Sequence, residues 1–274
     1  MNHSVVKKVG LYPLIFFMLI STIPPCYAYW KLSLPEQTPV TSCFLREYSY
    51  YISTGTVFRI KDVDFKNPTI ITRGLEEKRA HALFFYNDKI YVGTNKGVFK
   101  LTDDTMGWED ISGKMLANKC INSLCSHNGC LYAGTGSGVF KLDTDLTSWI
   151  EVPGLEFKLV KAVYSHGDSL YAGTIGHGVF KINTDEQWTE FNTGLPTTIS
   201  VNALYSYDDC LYAGTSNGVF KLDADTKSWQ EFNVGFQDQG KNTIVHTLCS
   251  DINYLYAQTK WGYFRTKTRQ ETSE

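Results

Sequence analysis

The sequence has no excess of charge of either sign, since 26 lysines and arginines stand against 28 acidic residues, a net charge of −2. A chain whose net charge is close to zero gives no indication that its partner is a nucleic acid or a membrane surface. It also lacks a long apolar run. The most apolar stretch, residues 9–23, has fifteen residues, fewer than the roughly 20 that a membrane-spanning helix needs.

That short apolar stretch is typical of an export signal. A pair of lysines precedes it, a pair of prolines ends it, and Cys26-Tyr27-Ala28 places small residues at the −3 and −1 positions of a cleavage site. We therefore predict a signal peptide over residues 1–28 and export to the periplasm or beyond, with no membrane attachment after cleavage near Ala28. The alternative interpretation is an uncleaved membrane anchor.

The cysteines have no metal-binding spacing, since their placement follows the internal repeat described below. Beyond the predicted signal there are six: Cys43, Cys120, Cys125, Cys130, Cys210 and Cys249. Only Cys125 and Cys130 flank a short turn, across which a disulfide is geometrically possible. The alternative, which we favour, is that all six are buried or unpaired thiols.

What the sequence does contain is an internal repeat. Close copies of the segment YAGTSNGVFK open at Tyr91, Tyr132, Tyr171 and Tyr212, and diverged copies open at Tyr51 and Tyr256. These tyrosines are 40, 41, 39, 41 and 44 residues apart. A period near forty residues is typical of a repeat architecture.

Each copy contains four strand-like pieces, which we name A to D. In the fifth copy they are residues 201–206, 211–215, 219–222 and 229–233, separated by turn residues such as Ser216-Asn217-Gly218. Four short strands per unit are typical of a propeller blade. We therefore predict an all-β fold, a six-bladed β-propeller over residues 29–266, followed by a polar tail over residues 267–274.

The sixth copy has no strand D after Phe264-Arg265, whereas Tyr29-Trp30-Lys31-Leu32 reads as a strand D with nothing before it. We predict that this N-terminal strand completes the last blade and closes the ring. Closure would remove the exposed sheet edges of an open array.

The frame LYAGTxxGVFKxxxDxxxW resembles the Asp-box (BNR-like) repeats of sialidase-type β-propellers, over nearly all of residues 29–266. The Asp box itself is degenerate, because Leu222 to Trp229 keeps the acidic turn and the Trp but lacks the Ser and Gly. The family includes sialidases, whose chemistry needs an arginine triad and a Tyr/Glu nucleophile pair. No arginine lies between residues 80 and 264, and lysine cannot replace arginine's planar fork. We predict no enzymatic activity and no cofactor.

Two recurring features have a structural and a functional interpretation. The acidic turns at Asp62/Asp64, Asp143/Asp145 and Asp223/Asp225 are predicted to cap turns, although spaced oxygens also occur in Ca²⁺ sites, which need six to eight ligands. Trp149, Trp188 and Trp229, each with Glu two positions later, are predicted core residues, although repeated tryptophans also serve as sugar platforms in lectins.

Strand parity predicts a candidate binding face. Because strands alternate in direction, the B–C turns, the D–A links and the start of every strand A share one end. The second residues of strand A are all polar: Thr41, His81, Asn122, Lys161, Asn202 and His246. Two interpretations of these polar residues are open: they are solvated at the mouth of a channel, or they form a ligand site.

Irregularities are predicted at the same end. His177 is an insertion in the fourth B–C turn, Lys260 and Trp261 replace small turn residues in the sixth, and the long link 236–244 contains Gln237 and Lys241. Loops on a rigid scaffold often hold binding residues. We predict a monomer that binds a protein or glycan partner there. The alternatives are a multivalent lectin with sites between blades and a sialidase-like hydrolase, which lacks its residues.

Overall fold

The repeats form strands because each short β-branched and aromatic segment is bounded by Gly, Asn, Asp or Ser. A computed structural model describes residues 42–45, 48–53, 55–61, 64–102, 107–143, 146, 148–183, 185–232, 243–250, 254–259 and 262–267. They divide into two compact units, one ending at Phe157 and one beginning at Lys158. We call them the N-unit and the C-unit.

The N-unit contains three four-stranded antiparallel sheets with strands in chain order. The first is formed by β1 (Ser42–Leu45), β2 (Tyr48–Ser53), β3 (Thr56–Lys61) and β4 (Asp64–Ile70). The second is formed by β5 (Ala80–Tyr86), β6 (Lys89–Thr94), β7 (Gly97–Leu101) and β8 (Trp108–Asp110). The third is formed by β9 (Ile121–His127), β10 (Cys130–Thr135), β11 (Gly138–Leu142) and β12 (Trp149–Val152). One helical turn, α1 (Gly113–Leu116), lies between the second and third sheets.

The C-unit repeats this arrangement. Its first sheet is formed by β13 (Val160–His166), β14 (Ser169–Thr174), β15 (Gly178–Ile182) and β16 (Trp188–Glu190). Its second is formed by β17 (Val201–Tyr207), β18 (Cys210–Thr215), β19 (Gly218–Leu222) and β20 (Trp229–Glu231). Its third is formed by β21 (Val245–Ser250), β22 (Tyr254–Thr259) and β23 (Gly262–Lys267).

The four-strand unit predicted from the repeat is confirmed in five sheets, and the last sheet has three strands among the described residues. The predicted alternation of strand direction is confirmed as well. In the sheet that begins with β13, for example, Val160 pairs with Thr174, which in turn pairs with Gly178. The B–C turn therefore lies at the end of the sheet where strand A begins and strand D finishes. We call this the D–A end and the opposite end the A–B end. The prediction that Tyr29 to Glu36 supplies a strand falls outside the described residues.

The register of the first copy differs from the prediction by one residue. Tyr50, rather than Tyr51, occupies the position of Tyr212, because Tyr50 pairs with Arg59 as Tyr212 pairs with Lys221. Tyr50 is buried as well. Two adjacent tyrosines made both alignments possible from the sequence, and the strand ladder distinguishes them.

The core is formed by the inner strands of each sheet and by a close approach between neighbouring sheets. A Cβ added to Gly214 of β18 would lie 2.7 Å from Cγ1 of Val245, the first residue of the next strand A. Gly173 meets Val201 at 2.7 Å in the same way. The glycine of the YAGT segment is therefore required by packing, since any side chain would displace the next sheet.

The tryptophans at the start of strand D are core residues, as predicted. Trp149, Trp188 and Trp229 are all buried, and the Glu residue two positions after each is exposed. Two of the indoles connect successive repeats by a hydrogen bond, and Trp188 Nε1 has no hydrogen-bond partner among the described residues. Nε1 of Trp229 donates to the carbonyl of Phe191 at 2.9 Å. Trp149 donates to Ile111 over the same distance. Because the rings are buried, they are not available as sugar platforms.

The acidic turn is a capping turn where it is described. Asp223 Oδ1 accepts from the backbone N–H groups of Thr226 and Asp225 at 2.8 and 3.0 Å. These hydrogen bonds, above all that from Thr226, hold the pKa of Asp223 below its usual value. Asn183 caps the preceding repeat's turn as well, since its Oδ1 accepts from the backbone N–H groups of Asp185 and Gln187 at 3.0 and 2.8 Å. Asp62 and Asp145 lie outside the described residues.

Cys125 and Cys130 do not form the disulfide that was the less favoured alternative. Cys125 pairs with Tyr132 and Cys130 pairs with His127, so the two cysteines are offset along the ladder rather than opposite each other. Neither forms a disulfide, and the same is true of Cys120 and Cys210. Burial raises the pKa of the Cys125 thiol well above its usual value.

Candidate functional site

The polar second residue of strand A is the extra residue of a β-bulge in five successive sheets. The register skips it each time, as at Lys161, where Val160 pairs with Thr174 and Ala162 with Gly173. The same shift occurs at His81, Asn122, Asn202 and His246. A bulge re-aims one side chain without changing the alternation of the rest of the strand.

This local geometry explains how a polar residue occurs between two inward-facing ones. Val160 and Ala162 are both buried, whereas Lys161 between them is exposed. His81 and His246 are exposed too, while Asn122 and Asn202 are half-buried. The Asn202 side chain donates to the carbonyl of Val245 at 2.9 Å, which links two neighbouring strands A of the C-unit.

The B–C turns lie at the same end of each sheet. His177 is exposed in the turn between Thr174 and Gly178, and its carbonyl accepts a hydrogen bond from the Asn192 side chain at 3.1 Å. It is thus at the D–A end of the sheet that contains Lys161, as predicted. His127 and His166 end their strands A at the A–B end, also as predicted.

Four residues of the predicted site, Lys260, Trp261, Gln237 and Lys241, lie outside the described residues. The same is true of Thr41 and of most of the link 236–244. Their participation therefore stays a prediction.

Large apolar side chains are exposed in the D–A links. In the N-unit these are Met115, in α1, and Phe157, and in the C-unit they are Leu159 and Ile244. Phe157 is the extreme case, with 95% of its surface exposed. An exposed leucine is ordinary on a protein surface, but an almost fully solvated phenylalanine is an informative exception.

Phe157 also has an unusual backbone conformation, with φ of 64°. The same left-handed conformation occurs one residue before the matching lysine or isoleucine in other links, at Glu77, Asn118 and Thr198, with φ of 58°, 62° and 59°. For a bulky residue this conformation is a genuine outlier. The link's geometry thus requires a side chain that projects into solvent at this position.

Sequence reasoning missed Phe157, although a signal was present. The link GLEEKRA of residues 74–80 and the link GLEFKLV of residues 154–160 align without a gap, and Phe157 replaces Glu77. A Phe at a position where another copy has an exposed Glu is the pattern that would have identified it.

Two links of the N-unit are held by the lysine that directly follows the left-handed residue. Lys78 and Lys119 lie over the rings of Phe99 and Phe140, with Nζ 5.2 and 5.3 Å from the ring centroids. Lys119 also donates to Ser137 Oγ at 2.9 Å, which attaches the link to the B–C turn. Such cation–π contacts contribute about 0.5–1 kcal/mol at exposed sites. The left-handed residue is therefore presented by an anchored backbone.

The other polar side-chain clusters are weaker candidates for a functional site. At the A–B end of the C-unit, His166 Nδ1 lies 2.9 Å from Ser206 Oγ, and burial lowers the pKa of His166 against the opposing charge of Asp209. The described residues contain no group of three or more His, Cys, Asp or Glu side chains placed to hold a metal ion. In that part of the chain, no helix is long and apolar enough to cross a membrane.

Comparison with protein families finds the propeller fold. A family model described as "Beta-prop_HVO_0234:-like, beta propeller" matches residues 54–245. No curated protein matches the sequence significantly.

Solved structures with the same fold include the extracellular domain of the putative one-component system BT4673 from B. thetaiotaomicron, with 15% identity and a TM-score of 0.66 over 85% of this chain and 33% of that one. Catalytically inactive virginiamycin B lyase from Staphylococcus aureus with quinupristin is 13% identical, with a TM-score of 0.67 over 85% and 82% of the two chains. YCF48 bound to D1 peptide is 12% identical, with a TM-score of 0.64 over 86% and 78%. This chain thus spans about a third of the BT4673 structure. At these identities the likeness shows the fold alone.

Proposed function

The chain belongs to the HVO_0234-like β-propeller family, and we propose from this premise that it is an exported, non-enzymatic binding protein that holds a protein partner at the D–A ends of its sheets. The observation that carries the proposal is Phe157, 95% exposed in a left-handed conformation. Export is supported by the signal-like residues 1–28 and by the extracellular location of the BT4673 domain.

Because 95% of its surface is exposed, the Phe157 side chain adds little to the packing of the described N-unit residues. Leaving a phenylalanine in water forgoes roughly 1.5–3 kcal/mol of burial, and the left-handed backbone costs a further 1–2 kcal/mol or so for an L-residue. Outliers of this kind are found at contact sites, where binding energy compensates for the strain. Aromatic anchors also dominate the energetics of protein interfaces.

A protein partner accounts for these residues better than a sugar. Phe157 and Met115 present apolar surface on protruding links of the N-unit, rather than an aromatic platform at the base of a polar cleft. The repeated tryptophans that would make a multivalent lectin are buried. YCF48, with the same fold, is described with a bound peptide.

The test is Phe157→Asn, with Glu77→Asn as the matched control. Asparagine tolerates the left-handed conformation and already occupies the matching position as Asn118. The variant should therefore fold as the wild type does, with an unchanged or slightly raised melting temperature, while it loses the aromatic ring. Tagged wild-type protein and both variants are incubated with extract of the source organism, and the bound proteins are compared by mass spectrometry.

We expect a discrete protein that is retained by the wild type and by Glu77→Asn and is depleted at least about tenfold in Phe157→Asn, as for an anchor worth 1.4 kcal/mol or more. Equal retention by all three proteins contradicts the proposal. So does selective retention of oligosaccharides on a glycan array by the wild type without a protein partner. A concentration-dependent dimer that disappears in Phe157→Asn would replace the heterologous partner by a second copy.

A further inference from the structure

We propose that the bulge residues of the C-unit, Lys161, Asn202 and His246, form a row that binds the carboxylates of an acidic peptide segment. The inference rests on the proposed function, because the segment would belong to the protein partner, and it adds the chemistry by which that partner is recognised.

The three bulges lie against one another in the C-unit. Gly173 of one sheet approaches Val201 of the next so closely that an added Cβ would lie 2.7 Å from it, and Gly214 approaches Val245 over the same distance. Lys161 is the bulge opposite Gly173 and Thr174, and Asn202 directly follows Val201. The bulge residues of successive sheets are therefore neighbours in a row along the starts of the strands A.

A hydrogen bond connects Asn202, the middle residue of the row, to the strand that contains His246. The side-chain nitrogen of Asn202 donates to the carbonyl of Val245, at 2.9 Å, and His246 is the next residue. This bond orients the Asn202 side chain along the row. The amide is therefore positioned between an exposed lysine and an exposed histidine, both re-aimed out of the packed strand by their bulges.

At this end of the C-unit's sheets, the exposed basic and acidic side chains lie on different strands. Strand A contributes Lys161 and His246, whereas the exposed acids, Glu190 and Glu231, are on strand D at the other edge of their sheets. The row thus consists of nitrogen donors with no described carboxylate in it. Lysine pairs with carboxylates through charge-assisted hydrogen bonds, which are stronger than neutral ones, and an imidazole N–H can donate a further hydrogen bond to a carboxylate.

An extended peptide suits the row better than a single small anion. The donors come from three successive sheets, so one carboxylate cannot contact all of them, whereas acidic side chains along a peptide can meet them in turn. The serines beside the row, Ser200 and Ser216, are engaged with the B–C turns, where Gly176 N–H donates to Ser200 Oγ at 3.1 Å. Specificity therefore rests on the bulge residues themselves.

The test uses isotope-labelled protein and two synthetic peptides, one with three consecutive glutamates between glycines and one with three glutamines. We expect the glutamate peptide to shift the backbone amide signals of residues 161, 202 and 246, and the glutamine peptide to leave them unchanged. Lys161→Gln should weaken binding by roughly three- to tenfold, the loss of one charged contact. Lys227→Gln removes an equal charge from the opposite end of a sheet and should bind as the wild type does.

Equal binding of the glutamine peptide, shifts confined to other residues, or equal weakening by Lys227→Gln would overturn the inference. Tighter binding of a trigalacturonate at the same residues would assign the row to acidic sugars instead. Melting temperatures of both variants show whether a loss of binding reflects unfolding.

The same titration on Phe157→Asn separates this inference from the proposed function. If partner capture depends on Phe157 but the glutamate peptide causes no shift, the peptide-binding row is refuted and the proposed function stands. If the glutamate peptide binds at the row but partner capture does not change in Phe157→Asn, the proposed partner site at Phe157 is refuted.

Discussion

Four different side chains occupy one left-handed position of the D–A links: Glu77, Asn118, Phe157 and Thr198. The repeat thus determines the backbone and the outward direction of the side chain, while the chemistry presented to solvent varies from copy to copy. This is how a propeller acquires a specific surface without altering its core. A functional residue in such a chain is found where one copy departs from the others at an exposed position.

The threonine that ends strand B shows the opposite behaviour, since it is buried and recurs in five copies, while the first copy has Ser53 at this position. Thr215 Oγ1 donates to the carbonyl of Gly218 and accepts from the N–H of Asn217, both at 2.9 Å. Thr94 and Thr135 close their hairpins in the same way. The hydroxyl is therefore the hydrogen-bond partner that two backbone groups of the turn would otherwise find in water.

We expect Thr215→Val to lower the free energy of unfolding by about 1–3 kcal/mol, because the isosteric side chain leaves both backbone groups without this partner. Thr215→Ser retains the hydroxyl and should lose less. Urea denaturation of the three proteins measures the difference. If the valine variant were as stable as the serine variant, the hydroxyl would not stabilise the turn.

At the scale of the element, strand positions followed from the sequence more readily than their irregularities. Alternation and turn residues predicted four strands per copy, since those signals are local. The bulge at Lys161 was predictable only as a polar residue in an apolar context, because a bulge is defined by the register of a partner strand. The offset of Cys125 from Cys130 and the turn of α1 have the same cause: each depends on pairing or packing that the local sequence does not specify.

The glycine of strand B sets the distance between neighbouring sheets. Gly214→Ala should destabilise the protein by about 1–3 kcal/mol, since its Cβ would lie 2.7 Å from Val245 Cγ1. Gly136→Ala is the matched control, because a Cβ there meets nothing within 4 Å and the residue has no left-handed φ. It should change stability little.

A double-mutant cycle identifies the contact. Val245→Ala by itself leaves a cavity and destabilises, whereas in combination with Gly214→Ala it removes the clashing methyl group. The two changes should therefore cost less together than the sum of their separate effects. Strict additivity in thermal or urea unfolding would show that Gly214 is needed for another reason.

At the scale of the whole molecule, the repeat count predicted the propeller, which the family match over residues 54–245 confirms. The number of blades and the closure of a ring remain predictions. They depend on a segment outside the described residues, and no local signal in that segment states which sheet it joins. The sequence argument for it is arithmetic: a sixth copy without strand D, and a strand-D-like segment with no copy before it.

The last prediction concerns that segment, residues 29–36. The sheet of β21, β22 and β23 has three strands among the described residues, where the other five sheets have four. If residues 29–36 supply the fourth, their deletion removes a strand that contains Trp30 and leaves an unpaired edge. Loss of a core tryptophan alone costs about 3–5 kcal/mol, which corresponds to a melting temperature lower by roughly 10 °C for a chain of this size.

The deletion should also promote self-association, because an open strand edge pairs with other chains. The control is truncation of residues 268–274 from the polar tail, which should leave both properties unchanged. Differential scanning calorimetry and analytical ultracentrifugation measure them. A deletion variant that melts with the wild type and stays monomeric would show that the last sheet does not need this strand, and the six-bladed closed ring would then have to be abandoned.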